Sequence, residues 1–322
     1  MNEVLLSNEV IIYLLSESIL YILMFIAFIE IPKLILWWDF DNFTAKQFSL
    51  ENRSYLVITI ISFVMLLKIF LLPYFVYTID KLSDIVPGAM CGAGIIKANI
   101  YGNPLLSLKI IIIFMSGIWM TLNHLDLKAK DYPYMKYKSW FFISIFILLS
   151  VEIGLDLLYF THIETTKPVT CCSIIFGQNG GANPLPFGLD TTKLLILFYL
   201  LYTMILLTTI STLYIGILFA NILFLPIAYY SVVYFFGTYI YELPTHKCPF
   251  CMLQESYYYV GYLIWGTLLL GIFLSINSAI FSMIFNKRLL KLRSLSLVLL
   301  TLFVVICSSY VVLYYVRNGT LL

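Results

Sequence analysis

The sequence predicts an all-α fold, a polytopic transmembrane helix bundle with about eight spanning helices. Apolar residues make up 61% of the 322 positions, and charged residues only 11%, where soluble domains average about a quarter. Mean hydropathy is +0.96. The apolar residues gather into runs of roughly twenty or more, the length that crosses about 30 Å of hydrocarbon.

In order, the runs are 10–38, 54–79, 106–125, 139–160, 193–217, 222–241, 257–285 and 294–316. Glu3 and Glu9 precede the first run without a cation. That run is also too long for a signal-peptide core, so it reads as a retained spanning helix. The stretch 194–241 carries no charge and is too long for one crossing, which places a turn near Gly216 to Asn221. The chain 1–322 reads as one integral membrane domain: a first helix, hairpins at about 54–125, 139–217 and 222–285, and a last helix.

The hairpins are suggested by a repeated string. Pro87-Gly88-Ala89-Met90-Cys91, Pro168-Val169-Thr170-Cys171-Cys172 and Pro244-Thr245-His246-Lys247-Cys248 share the spacing of Pro, three residues, Cys. Each follows a Tyr-Phe pair (Tyr74-Phe75, Tyr159-Phe160, Tyr234-Phe235) and an acidic residue (Asp84, Glu164, Glu242). Asn103-Pro104-Leu105 and Asn183-Pro184-Leu185 follow the first two copies; the third lacks this string. A period near eighty residues fits a three-fold repeat of two-helix hairpins with cysteine-bearing outer loops, and internal repeats are frequent in membrane proteins.

Orientation follows from Lys and Arg, which collect in cytoplasmic loops. With the N-terminus outside, inner loops 39–53, 126–138 and 286–293 hold Lys46, Arg53, Lys128, Lys130, Lys136, Lys138, Lys287, Arg288, Lys291 and Arg293. The longer outer loops 80–105, 161–193 and 242–256 hold only Lys81, Lys97, Lys167, Lys193 and Lys247. The expected location is the cytoplasmic membrane, with both termini outside and every cysteine but Cys307 on the outer face. A net charge of +2 with no basic tail gives no reason to expect nucleic acid. The partners to expect are the lipid bilayer, an extracytoplasmic thiol protein, or other subunits of a membrane complex.

The chemistry centres on Cys248-Pro249-Phe250-Cys251. Pairs of this spacing close a disulfide or grip a soft metal ion, and one thiol often has a lowered pKa. His246 and Lys247 favour the thiolate, and the oxidising side of the membrane is where disulfides persist. Cys171 and Cys172 are vicinal, so they pair with other thiols more readily than with each other. Five outer thiols make an odd count.

Three functions fit these residues. In the first, Cys248 and Cys251 exchange electrons, His246 tunes them, and Cys91 with Cys171 or Cys172 relays to an extracytoplasmic partner. In the second, Cys91, Cys172, Cys248 and Cys251 gather Cu(I) or Zn for binding, insertion or transport. In the third, the cysteines staple a non-catalytic membrane subunit.

Charges within the apolar runs form a second set, because a charge in hydrocarbon is costly and marks a pathway or a paired site. Lys68 is expected to pair with Glu152 or Glu17, while Glu152 and Asp156, four apart on one helix, share a face. The surplus carboxylates could pass protons, and Glu30 and Lys33 are neighbours near the inner end of the first helix. The sequence carries no phosphate-binding Gly-Lys-Ser/Thr string and no Cys-X-X-Cys-His.

A Cys-X-X-Cys at an outer helix end plus further loop cysteines resembles the thiol layout of quinone-linked membrane disulfide oxidoreductases of the DsbB and vitamin K epoxide reductase kind. The resemblance implies a quinone as electron partner. It covers only the thiols: those bundles have four or five helices, and the repeat and vicinal pair here depart from them.

Overall fold

The computed structural model describes residues 3–39, 44–129, 132–169, 188–285 and 289–322. Among them there is no strand, and eight helices are long and apolar enough to cross a membrane. The helices are α1 Asn8–Trp37, α2 Ala45–Leu82, the short α3 Gly92–Ile96, α4 Gly102–Lys128, α5 Met135–Thr161, α6 Thr191–Ile210, α7 Tyr214–Tyr241, α8 Val260–Ile284 and α9 Leu290–Asn318.

Their side-chain distribution suits a lipid solvent. On α1, Ile12, Leu15, Ile19 and Ile22 are exposed while Tyr13 and Glu17 are buried. Lipid tails solvate isoleucine as well as a protein core does, so burying apolar area gives little drive. Burying polar groups against one another gives much more, since hydrocarbon offers them no partner.

The chain forms two compact units, Met1–Val169 and Thr170–Leu322. In the first, α1 packs on α2 and α5, and α4 packs on α5 and α2. Ile61, Val64, Met65, Trp119, Phe142 and Ile145 fill the interior, and Phe28 stacks on Phe146 at 4.3 Å between centroids. The connection from α2 to α4 is pinned at several points. The Gly92 amide donates to Asp80 Oδ1 at 3.2 Å, Tyr159 Oη to the Ile95 carbonyl at 3.0 Å, and Asn99 Nδ2 to the Tyr159 carbonyl at 2.9 Å. Gly102 opens α4 so close to this connection that a Cβ there would lie 2.1 Å from the Ile96 carbonyl oxygen.

In the second unit α7 packs on α6 and α8, and α8 on α9. Phe198 of α6 is the centre of an aromatic core, 5.4 Å from Phe224, 5.2 Å from Phe236 and 6.0 Å from Phe303. Hydrogen bonds cross between helices: Tyr202 Oη donates to Thr301 Oγ1 at 2.9 Å, and Asn221 Nδ2 to Ser275 Oγ at 2.9 Å.

Two sequence expectations need correction. The turn between α6 and α7 falls at 211–213, not near Gly216 to Asn221. Thr212 takes the left-handed conformation, φ 57°. Gly216 serves close packing instead, since a Cβ there would meet Thr208 Cγ2 at 2.8 Å. Likewise, much of the expected inner loop 126–138 is helix, because α4 runs to Lys128 and α5 starts at Met135. Lys138 is therefore no loop cation but a buried residue of the first turn of α5.

Candidate functional site

The first unit encloses a network of five charged side chains, all buried and drawn from four helices. Lys68 Nζ on α2 donates to both Glu17 oxygens, at 2.9 and 2.7 Å, and to Glu152 Oε2 at 2.7 Å. Lys109 Nζ on α4 donates to Glu152 Oε1 and to Asp156 Oδ2, each at 2.8 Å, and lies 3.6 Å from Glu17 Oε1. Glu152 is thus held by both ammonium groups. Tyr13 Oη donates to Glu17 Oε1 at 2.9 Å and stands 3.2 and 3.3 Å from the two oxygens of Asp156. Lys109 also sits 4.8 Å from the Phe75 ring centroid and 5.2 Å from that of Tyr13, where the ring faces attract a cation.

Helix geometry explains why these residues meet. Tyr13 and Glu17 are four apart on α1, and Glu152 and Asp156 four apart on α5, so each pair lies on one face about 6 Å apart along the axis. The two helices run antiparallel, as the Tyr21–Ser150 contact at 3.1 Å and the Phe28–Phe146 stack, two turns on along α1 and one turn back along α5, require. Tyr13 therefore sits level with Asp156, and Glu17 level with Glu152.

A second buried ion pair lies near the opposite end of α4 and α5. Lys138 Nζ is 2.6 Å from Asp126 Oδ2 and donates to Asn123 Oδ1 at 3.0 Å. The other Asp126 oxygen accepts the Tyr134 amide at 2.8 Å. Trp119 Nε1 donates to the Lys138 carbonyl at 2.8 Å. Near that end too, Lys33 reaches Glu30 at 2.7 Å, with both side chains about a third exposed.

In the second unit Cys248 and Cys251 lie in the connection from α7 to α8, both buried, with their sulfurs within 4.8 Å of each other. Their turn is held from three directions. Tyr241 Oη donates to the Cys248 carbonyl and accepts the Met252 amide at 3.1 Å. Trp265 Nε1 of α8 donates to the Pro249 carbonyl at 3.2 Å, and the Leu253 amide to the Phe250 carbonyl at 2.8 Å. A five-residue π segment, Val232–Phe236, precedes Tyr241 in α7. Its wider turns rotate the face that follows, and such segments are frequent at functional sites.

No family model, no curated protein and no solved structure matches the chain.

His246 packs against the Tyr241 ring, centroids 4.2 Å apart, and Lys247 stands 5.1 Å from the Tyr234 ring. Tyr257, also beside Tyr241, has its phenol pKa raised, first by burial and then by Cys251 nearby. In the first unit, Cys91 is buried at the start of α3. Cys171 and Cys172 lie outside the described residues. Cys307 is buried within α9.

The structure brings Lys68, Glu17, Glu152 and Asp156 together, with Lys68 joined to both glutamates and not to one of them. Sequence reasoning missed Lys109 and Tyr13. Lys109 was legible in principle, since it stands within the run 106–125, three residues from its start. Tyr13 carried no signal, being one of 25 tyrosines. The Asp126–Lys138 pair was hidden because its residues flank a connection and read as solvated loop charges.

Proposed function

We propose that the protein is a membrane thiol oxidoreductase in which Cys248 and Cys251 are the reactive pair. The observation supporting this is the Cys-Pro-Phe-Cys turn itself: two buried sulfurs within 4.8 Å on a backbone held by Tyr241 and Trp265. Closing the pair draws the sulfurs to about 2.05 Å. Two thiols become one disulfide, and two electrons and two protons leave together to an acceptor.

Burial makes direct attack by a bulky protein thiol difficult and favours a small, lipid-soluble acceptor of the quinone class, reduced to quinol. In this reading Cys91, itself buried, does not meet a protein thiol directly, and the vicinal Cys171–Cys172 pair passes oxidising equivalents by exchange to an extracytoplasmic thiol protein. The Pro-x-x-x-Cys spacing then recurs because each of three connections, α2 to α4, α5 to α6 and α7 to α8, supplies a thiol.

The test is mass-tag alkylation of the membrane-embedded protein under reducing and oxidising conditions, with and without a quinone. The number of labelled cysteines falls by two on oxidation in the wild type and not in Cys248→Ser. Labelling that is the same in both conditions ends the proposal.

The same spacing supports a second reading. Thiolates bound to Cu(I) or Zn at about 2.3 Å stand roughly 3.8 Å apart, within the separation found here. Metal analysis of purified protein decides between them: stoichiometric metal lost in Cys248→Ser favours storage or transfer of a thiophilic ion over electron exchange.

A further inference from the structure

We infer that the charge network of the first unit binds one proton, held on Asp156 and handed through Tyr13 to Glu17. This site is independent of the thiol pair and its chemistry.

Three carboxylates face two ammonium groups. Glu17 and Tyr13 come from α1, Lys68 from α2, Lys109 from α4, and Glu152 and Asp156 from α5. Tyr159 of α5 turns its hydroxyl away to the Ile95 carbonyl. All six interacting side chains are buried. A surplus negative charge in such surroundings has no solvent to stabilise it, and a bound proton cancels it.

The hydrogen-bond geometry says where that proton sits. Glu152 accepts from both lysines, and Glu17 accepts twice from Lys68. Asp156 is the least supported, with one ammonium contact that it shares with Glu152. The phenol has a single proton, and its shortest contact is to Glu17 Oε1, at 2.9 Å. A phenol oxygen that donates there turns a lone pair toward Asp156 Oδ1, 3.2 Å away. Two lone pairs at that distance repel when the carboxyl is ionised. A proton on Asp156 converts the contact into a hydrogen bond, giving the chain Asp156 to Tyr13 to Glu17.

This chain is also a path. When Asp156 gives its proton to the Tyr13 oxygen as Tyr13 gives its own to Glu17, one proton has moved and no electron. The phenol is neutral before and after, and the negative charge passes from Glu17 to Asp156. A Glu17 and an Asp156 carboxylate oxygen lie within 4.8 Å of each other, so the displacement is less than one helix turn. Glu17 borders two small cavities of about 10 Å³ each, one shared with Tyr21 and one with Lys109. That is close to the minimum for a single water. Asp156 lines neither and is fully buried, so exchange with water falls to the Glu17 end.

Infrared difference spectroscopy of purified protein at neutral pH tests this, reading the carbonyl stretch of a buried protonated carboxylic acid and its shift in D₂O. The wild type is expected to show that band, and Asp156→Asn and Glu152→Gln, each of which leaves two carboxylates facing two ammonium groups, to lose it. Tyr13→Phe, which preserves the ring, should keep the band, shift it to higher frequency and slow its deuterium exchange. A wild-type spectrum without the band, or one unchanged in Tyr13→Phe, overturns the proposal without relying on the Asn variant to fold. A band that disappears when sodium is added at constant pH assigns the place to a metal cation and overturns it equally.

Discussion

Removing the Lys109 ammonium should be among the most damaging single changes in the first unit. Lys109→Met keeps the length and the contact with Phe75 but deletes the hydrogen bonds to Glu152 and Asp156 at 2.8 Å. Lys109 is 3% exposed, so solvent screening does little to soften the loss. Breaking a buried pair from one side costs about 3–5 kcal/mol because the partner charge is stranded. That corresponds to roughly a hundred- to several-thousand-fold in the folded-to-unfolded ratio. Glu152 is the carboxylate the two lysines share, so Lys109→Met/Glu152→Gln restores the charge balance and should recover most of the loss. A double-mutant cycle, read by SDS or thermal unfolding in mild detergent, would then give a coupling of about 2 kcal/mol or more, within the range for contacting residues. If Lys109→Met unfolds with the wild-type midpoint, or the double variant is as unstable as the sum of its singles, the network is not the electrostatic unit described here.

Three further outcomes follow. Tyr241→Phe removes the hydroxyl that bridges the Cys248 carbonyl and the Met252 amide; stability should fall by about 1–3 kcal/mol, and Cys248 and Cys251 should alkylate faster in a timed labelling assay. Gly102→Ala puts a Cβ 2.1 Å from the Ile96 carbonyl oxygen, whereas Gly154→Ala meets nothing within 4 Å; the first should lower the unfolding midpoint clearly and the second should match or exceed the wild type. Lys33→Ala breaks a pair about a third exposed on each side, so its cost should stay below about 1 kcal/mol, in contrast to Lys138→Met, which strands the buried Asp126.

The spans were legible because their signal is local. Twenty contiguous apolar residues cannot stay in water, and no tertiary partner is needed to decide that. The helix ends were less so. Where Gly216 suggested a turn, the chain uses it to bring α7 against Thr208, and nothing in the local sequence separates the two uses. The carboxylates of α5 were readable as one face from their spacing of four, and Lys68 was conspicuous in the middle of an apolar run. Lys109 and Tyr13 became visible only when α4 and α1 were placed beside α5.

The order of apolar residues along the chain therefore determines that, among the described residues, eight helices are long and apolar enough to cross a membrane, since hydrocarbon forces each segment to satisfy its own backbone. Which charge neutralises which is a different kind of fact. The distance from Lys109 to Glu152 spans 43 positions in the chain, and that from Tyr13 to Asp156 spans 143. Electrostatic energies depend on separations of a few ångströms, and only the packing of four helices brings these groups that close.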